Sequence, residues 1–286
     1  MKRFWVLALL ALFLFPACST MNVAGPSQEF VFLASTIGPI DAGIVGALED
    51  GFEKETGIRV RHVGAGTGAA LKMAQKGQFD LVLAHAKSLE EKFVKDGFGT
   101  ERIPLMYNDF VIVGPAGDPA GIRGMKTAAQ ALRTIAAKKA TFISRGDKSG
   151  THVAEMELWK GAGIKPAGSW YVVYEKGSTG NVPTLRYTNE KQVYTVIDRA
   201  TYLSLKKEIK LAILVEKDEA MLNFMSVIPI NSAKFPRVNR AGAMKFIGWM
   251  TAADKGQRII RDFGKDKYGE PMFFPNSEAW RRSQGK

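Results

Sequence analysis

Short apolar runs alternate along the chain with longer segments of helical period. The runs read FVFLA at 30–34, IRVRHV at 58–63, DLVLAH at 80–85, FVIVGP at 110–115, ATFIS at 140–144, WYVVYE at 170–175, LAILV at 211–215 and MSVIPI at 225–230. Runs this short, rich in β-branched and aromatic residues, fit strands rather than helices. Between them, 43–55, 71–77, 88–96, 127–138 and 150–159 carry apolar positions at helical spacing, and a longer helical pattern covers 241–263. Strands alternating with helices predict an α/β fold with a mainly parallel sheet and helices on both faces.

No internal repeat or low-complexity tract interrupts this order, and nothing between 114 and 215 resembles an independent domain with its own linker. The pattern therefore predicts two lobes joined by two crossings, near YNDFVIVGP (107–115) and MLNFMSVIPI (221–230). One lobe comprises residues 28–112 and 226–286, the other 113–225. The stretch YGEPMFFPNSEAW (268–280) is expected to pack on the first lobe through Phe273, Phe274 and Trp280.

Residues 1–19 have the order of an export signal: Lys2 and Arg3, an apolar run from Phe4 to Phe15, then small residues. That run is short for a permanent membrane helix. Cys18 stands where a lipoprotein signal peptidase would leave a lipid-bearing thiol; cleavage by the ordinary peptidase after Ser19 is the alternative. Either places the mature chain outside the cytoplasm, periplasmic or lipid-anchored to a membrane. Cys18 is the single cysteine, so neither a disulfide framework nor a thiolate metal site is expected.

The 286 residues are 46% hydrophobic, enough for a packed core. The formal charge of +12 is scattered among acidic residues rather than gathered into a stripe, which argues against nucleic acid and for a solvated surface that favours anions.

Four loops are rich in glycine and hydroxyls: ASTIGPIDAG at 34–43, GAGTGAAL at 64–71, SRGDKSGTH at 144–152 and KGSTGN at 176–181. Helix N-termini expose backbone N–H groups and partial positive charge, and glycine lets an anion approach them. For any single loop, helix capping is the simpler reading; four in one α/β chain point to an anion. GAGTGAAL lacks the lysine and spacing of a P-loop and the full dinucleotide fingerprint. Arg145 offers a forked set of donors to an oxyanion or, alternatively, a salt bridge to Asp147. Arg199 is a second candidate, oriented by Asp198, with a structural ion pair as the alternative.

Catalytic chemistry is poorly represented. His62, His85 and His152 show no HExxH spacing, no carboxylate cluster suggests a metal, and no GxSxG elbow is present. No activated nucleophile or general base stands out. Core, cap or surface roles are expected for the histidines.

Several stretches together resemble the tungstate-binding proteins of tungstate ABC importers, a branch of the type II periplasmic binding proteins. They are FEKETGIRV, GTGAALKMAQKGQFDLVLAHA, EEKFVKDGFG, MYNDFVIVGP, SRGDKSGTH followed by ELWKGAGI, and NEKQVYTVIDRATYL, within residues 30–232. The resemblance implies a non-catalytic monomer without cofactor that captures tungstate or molybdate between its lobes for a permease with an ATPase partner. It also implies a donor set of Ser35, Thr36, Thr67, Arg145, Ser149, Thr151 and Arg199. The family's Thr-Thr-Thr-Ser run reads Ser35-Thr36-Ile37-Gly38 here, keeping two hydroxyls and losing two.

A tetrahedral dianion presents acceptors on every oxygen, so a pocket of donors satisfies it. Phosphate near neutral pH keeps a proton and requires an acceptor. Sulfate matches tungstate in charge and acceptors and differs only in size. Sulfate, phosphate or another oxyanion remains the alternative cargo; a secreted enzyme on anionic substrates and a membrane sensor lobe are alternatives of other classes.

Overall fold

The computed structural model describes residues 30–285; the apolar leader and Cys18, on which the export reading rests, lie outside them. The first half of the chain runs β1 (Phe30–Thr36), α1 (Ile37–Asp41), α2 (Ile44–Thr56), β2 (Arg59–Ala65), α3 (Thr67–Ala74), β3 (Leu81–Ala84), α4 (Lys87–Lys95) and β4 (Ile103–Pro115). The second lobe adds α5 (Ala128–Ala137), β5 (Phe142–Ser144), α6 (Gly150–Gly161), β6 (Tyr171–Val173), α7 (Asn181–Lys191), β7 (Thr195–Asp198), α8 (Arg199–Leu205) and β8 (Leu211–Val215). The chain returns through β9 (Leu222–Pro229) and closes with α9 (Arg240–Thr251), α10 (Gly256–Asp262), α11 (Lys265–Tyr268), β10 (Phe274–Pro275) and α12 (Glu278–Ser283).

Parallel pairing joins β2–β1–β3 in the first lobe and β5–β6 in the second, with a further parallel bridge from Phe142 to Tyr194. The crossing strands run antiparallel. β9 joins β3, and β4 pairs with β9 from Ile103 to Asp109, then with β7 and β8 from Phe110 to Pro115. One long strand thus serves both lobes. Its first half escapes the sequence pattern because Pro104, Asn108 and Asp109 interrupt the apolar run, yet Asn108 and Asp109 are buried.

Packing divides less sharply, because one core cluster runs from Leu48 and Phe52 through Val111 and Val113 of β4 to Leu203 and Leu211. Phe52, Phe246 and Leu48 fill the first lobe, with Phe52 and Phe246 rings 4.9 Å apart. Trp159, Phe142 and Tyr194 fill the second, where Trp159 meets Phe142 edge-on at 5.1 Å. Phe273 is buried in the first core, and Phe274 stacks on Tyr107 at 5.0 Å beside the β10–β4 pairing. Trp280 is half-buried on α12.

The pattern at 241–263 predicts one helix, but the structure has two. Ala252 turns extended after α9. Gln257 then donates to the freed Met250 carbonyl at 2.9 Å and Ser277 to that of Thr251 at 2.7 Å. Side chains satisfy the helix end, so the break leaves these carbonyls paired. Among the described residues no helix is long and apolar enough to cross a membrane.

Candidate functional site

The C-terminal ends of three parallel strands lie side by side. Ser35 is opposite Gly64 and Thr36 opposite Ala65, while Ser35 also faces Leu83. This register gathers the β1–α1 junction, the Gly66-Thr67 start of α3 and the β3 exit at one sheet edge. It is the edge at which open α/β sheets bind ligands.

Ser35 and Thr36 are 0% and 1% exposed. The Ser35 hydroxyl donates to the Thr36 carbonyl at 3.1 Å. Thr36 occupies the N-cap position of α1 in extended conformation, but its hydroxyl caps nothing. Among the buried side-chain nitrogen and oxygen atoms described, Thr36 Oγ1 is the one without a hydrogen-bond partner. Leaving a buried hydroxyl unpaired costs about 1–3 kcal/mol. Thr67, the first residue of α3, is half-buried and follows by two residues Ala65, the β2 partner of Thr36.

From the second lobe comes the loop between β5 and α6. Asp147 Oδ1 accepts from the Ser149 backbone N–H at 3.1 Å, and Ser149 Oγ accepts from the His152 N–H at 3.4 Å as the N-cap of α6. His152 Nδ1 accepts from the Lys148 N–H at 2.9 Å. These bonds fix the loop and aim the first turn of α6, where Thr151 is 7% exposed. Burial opposes the Asp147 charge, but hydrogen bonds from Ser149 and the Arg145 guanidinium hold its carboxyl below the usual range.

Arg145 donates to Asp147 Oδ2 at 2.6 Å, to the Gly177 carbonyl at 3.2 Å and to Asn181 Oδ1. Of its five N–H donors this leaves one on each terminal nitrogen. Gly177 belongs to the KGSTGN loop, and a Cβ there would lie 2.0 Å from the Arg145 carbonyl oxygen, so only glycine allows the approach. That loop braces the arginine. Asn181 passes the chain on, donating to Asp198 at 2.6 Å, and Asp198 caps α8 through Thr201.

Beneath the loop lies Glu155, 2% exposed. It accepts from Ser144 at 2.7 Å, Tyr171 at 2.7 Å and Trp159 at 3.2 Å. Burial raises its pKa to about 7, against these three donors. Much of its negative charge is therefore withdrawn near neutral pH, which suits an anion above it.

Arg199, the remaining member of the expected donor set, sits in an ion-pair network. It grips Asp109 with Nε at 2.8 Å and Nη2 at 2.6 Å, donates to Glu216 at 2.7 Å and lies 3.6 Å from Glu270. Asp198, expected to orient it, is occupied with Thr201 and Asn181. The alternative held for Arg199, an ion pair, is the arrangement found. His62 likewise pairs with Glu49 at 2.9 Å. Among the described residues no group of three or more metal-ligating side chains forms.

His85, for which a core, cap or surface role was expected, stands at the sheet edge. It follows β3 and meets Gly150 at the start of α6, with Nδ1 3.0 Å from Asn223 Oδ1. Its signal was its position directly after a buried strand at the binding edge, as in DLVLAH.

Residues 24–254 match the PBP superfamily domain. The chain belongs to that superfamily. Within it, the tungstate-binding protein TupA of Peptoclostridium acidaminophilum is 44% identical over 249 residues, covering 86% of each chain. The solved tungstate-binding protein TupA from Desulfovibrio alaskensis G20 has a TM-score of 0.80 at 43% identity, over 87% of this chain and 100% of that one. The tungstate ABC transporter structure from Geobacter sulfurreducens has a TM-score of 0.72 at 44% identity, over 82% and 99%. These superfamily members share the chain's family as well as its fold.

Proposed function

We infer that this chain is an extracytoplasmic solute-binding protein that captures a tetrahedral oxyanion, tungstate or molybdate, for an ABC importer. The observation that carries the reading is the buried, unpartnered Thr36 hydroxyl at the sheet edge. An oxyanion oxygen supplies the acceptor that the protein does not. Thr36 and Thr67 donate from the first lobe, joined by Ser35 once its hydroxyl turns from the Thr36 carbonyl; Arg145, Ser149, Thr151 and the first N–H groups of α6 donate from the second. Closure of residues 28–112 and 226–286 onto 113–225 excludes water and strengthens each bond.

The neighbouring acids are already engaged, Asp147 by Arg145 and Glu155 by Ser144, Tyr171 and Trp159. No acceptor is then left for the proton of phosphate, and the site discriminates against it. Tungstate is favoured over other dianions by the 44% identity to a tungstate-binding relative. The N-terminal apolar leader directs export, cleavage before Cys18 leaves that residue to carry the lipid, and a monomer hands the anion to a permease with its ATPase subunit.

Calorimetric titration of the ligand-stripped mature protein with tungstate, molybdate, sulfate and phosphate tests this. One-to-one binding of tungstate and molybdate, with phosphate silent, is expected. Preference for sulfate or phosphate, or no binding at all, would overturn it.

A further inference from the structure

The lobes meet at a contact that the ligand reading does not use. His85 leaves β3 in the first lobe, and Gly150 opens α6 in the second. A Cβ on Gly150 would lie 2.6 Å from His85 Cε1 and 3.3 Å from Nε2. The imidazole edge therefore rests on bare backbone at the turn that carries Ser149 and Thr151. Gly150 does not have the positive φ of Gly146, so its conformation does not demand glycine. The space taken by the ring does.

The ring is pinned from behind. His85 Nδ1–H donates to Asn223 Oδ1 at 3.0 Å, and Asn223 Nδ2 donates to Asn108 Oδ1 at 2.8 Å. Asn108 and Asn223 face each other in register on β4 and β9, the strands that cross between the lobes. A short hydrogen-bonded chain thus runs from the hinge to the cleft wall. Desolvation pulls the His85 pKa below its ordinary value, although Asn223 and Glu90 oppose it, so the ring stands neutral at pH 7 and needs only the one partner.

We propose that His85 is a size-determining strut: its ring fixes how closely the α6 N-terminus approaches the ends of β1 and β2, and so selects the larger tetrahedral dianion over sulfate. This rests on the oxyanion reading above. Tungstate and sulfate carry the same charge and the same acceptors, so donors alone cannot separate them. A cleft held at fixed width by a pinned ring cannot shrink around the smaller anion, whose hydrogen bonds stay long and weak. His85 positions the donors and touches no ligand oxygen.

The test uses tungstate and sulfate titrations of wild type, His85→Ala, His85→Asn, Gly150→Ala and the double variant His85→Ala with Gly150→Ala. His85→Asn keeps an N–H near the Nδ1 position for Asn223 but removes the ring edge. Both His85 variants should narrow the tungstate-to-sulfate affinity ratio by about tenfold or more. Gly150→Ala should weaken tungstate binding about tenfold, and adding His85→Ala should restore it to within about threefold of wild type, because the methyl occupies the vacated space.

An unchanged ratio in both His85 variants, or losses that add in the double variant, would overturn the strut while leaving the oxyanion reading intact. Failure of wild type to bind tungstate would instead overturn that reading and the selectivity role with it. Urea denaturation of wild type, His85→Ala, Gly150→Ala and the double variant then still decides the contact: a Gly150→Ala loss relieved by His85→Ala supports it, and losses that add overturn it.

Discussion

Two arginines of the second lobe, Arg199 and Arg145, have surroundings that assign them opposite tasks. Arg199, at the hinge, is 6% exposed and surrounded by Asp109, Glu216 and Glu270. Its donors reach β4, the segment after β8 and the C-terminal tail, so one cation ties together three parts of the chain. Burial opposes its charge, but Asp109 and Glu216 hold it protonated far above any working pH. Arg145, at the cleft, has one carboxylate and two neutral acceptors, and keeps two N–H groups uncommitted. An arginine's residue type reveals its capacity to donate, but the carboxylates around it, three at Arg199 and one at Arg145, decide how far its charge is already compensated before a ligand arrives.

The comparison breaks most visibly in stability. Arg199→Met leaves Asp109 buried without its cation and should cost about 3–5 kcal/mol. Urea denaturation measures this, and the remaining folded protein should retain its oxyanion affinity. Near-wild-type stability would mean that the hub holds nothing.

Glu155 sharpens the contrast, because it is a buried carboxyl with neutral donors where Asp109 has an arginine. Its folded pKa of about 7 lies above the ordinary 4.5. The native state then holds a proton that the unfolded chain has released, and stability falls as pH rises between these values. The full decline amounts to about 3 kcal/mol and is complete above pH ~7. Denaturation at several pH values should find this slope in wild type and lose it in Glu155→Gln.

At the cleft, Arg145→Ala removes charge-assisted bonds worth roughly 1.5–3 kcal/mol, and oxyanion affinity should fall about 10- to 150-fold. Its stability loss should be smaller than that of Arg199→Met. The smallest effect carries two signs. Thr36→Val removes an unpaired buried hydroxyl and should raise stability by about 1 kcal/mol, yet weaken the oxyanion about tenfold. Thermal unfolding and calorimetry on one preparation read both.

Local pattern made much of this legible. β1, β2, β3 and β8 fall on the apolar runs, and SRGDKSGTH marked the loop that opens α6. The α/β class and the two crossings followed from the order of these elements. What stayed hidden depends on distant partners. Asp109 lies 90 residues from Arg199, so no window of sequence could distinguish that arginine from Arg145. β7 begins at Thr195 and ends at Asp198, so QVYTVID shows no continuous apolar run. His85 looked like the end of a strand because its neighbours Asn223 and Gly150 arrive from the hinge and the second lobe. The unpaired state of Thr36 is a property of its whole surroundings, and a hydroxyl at a helix start reads equally well as a cap.

The most direct measurement is a crystal structure of the protein grown with tungstate, with tungsten located by its anomalous scattering. The expected result is one site within hydrogen-bond reach of Thr36 Oγ1, the Arg145 guanidinium and the first N–H groups of α6, with Arg199 still bound to Asp109. Tungsten located elsewhere, or beside Arg199 with Arg145 untouched, would contradict the assignment.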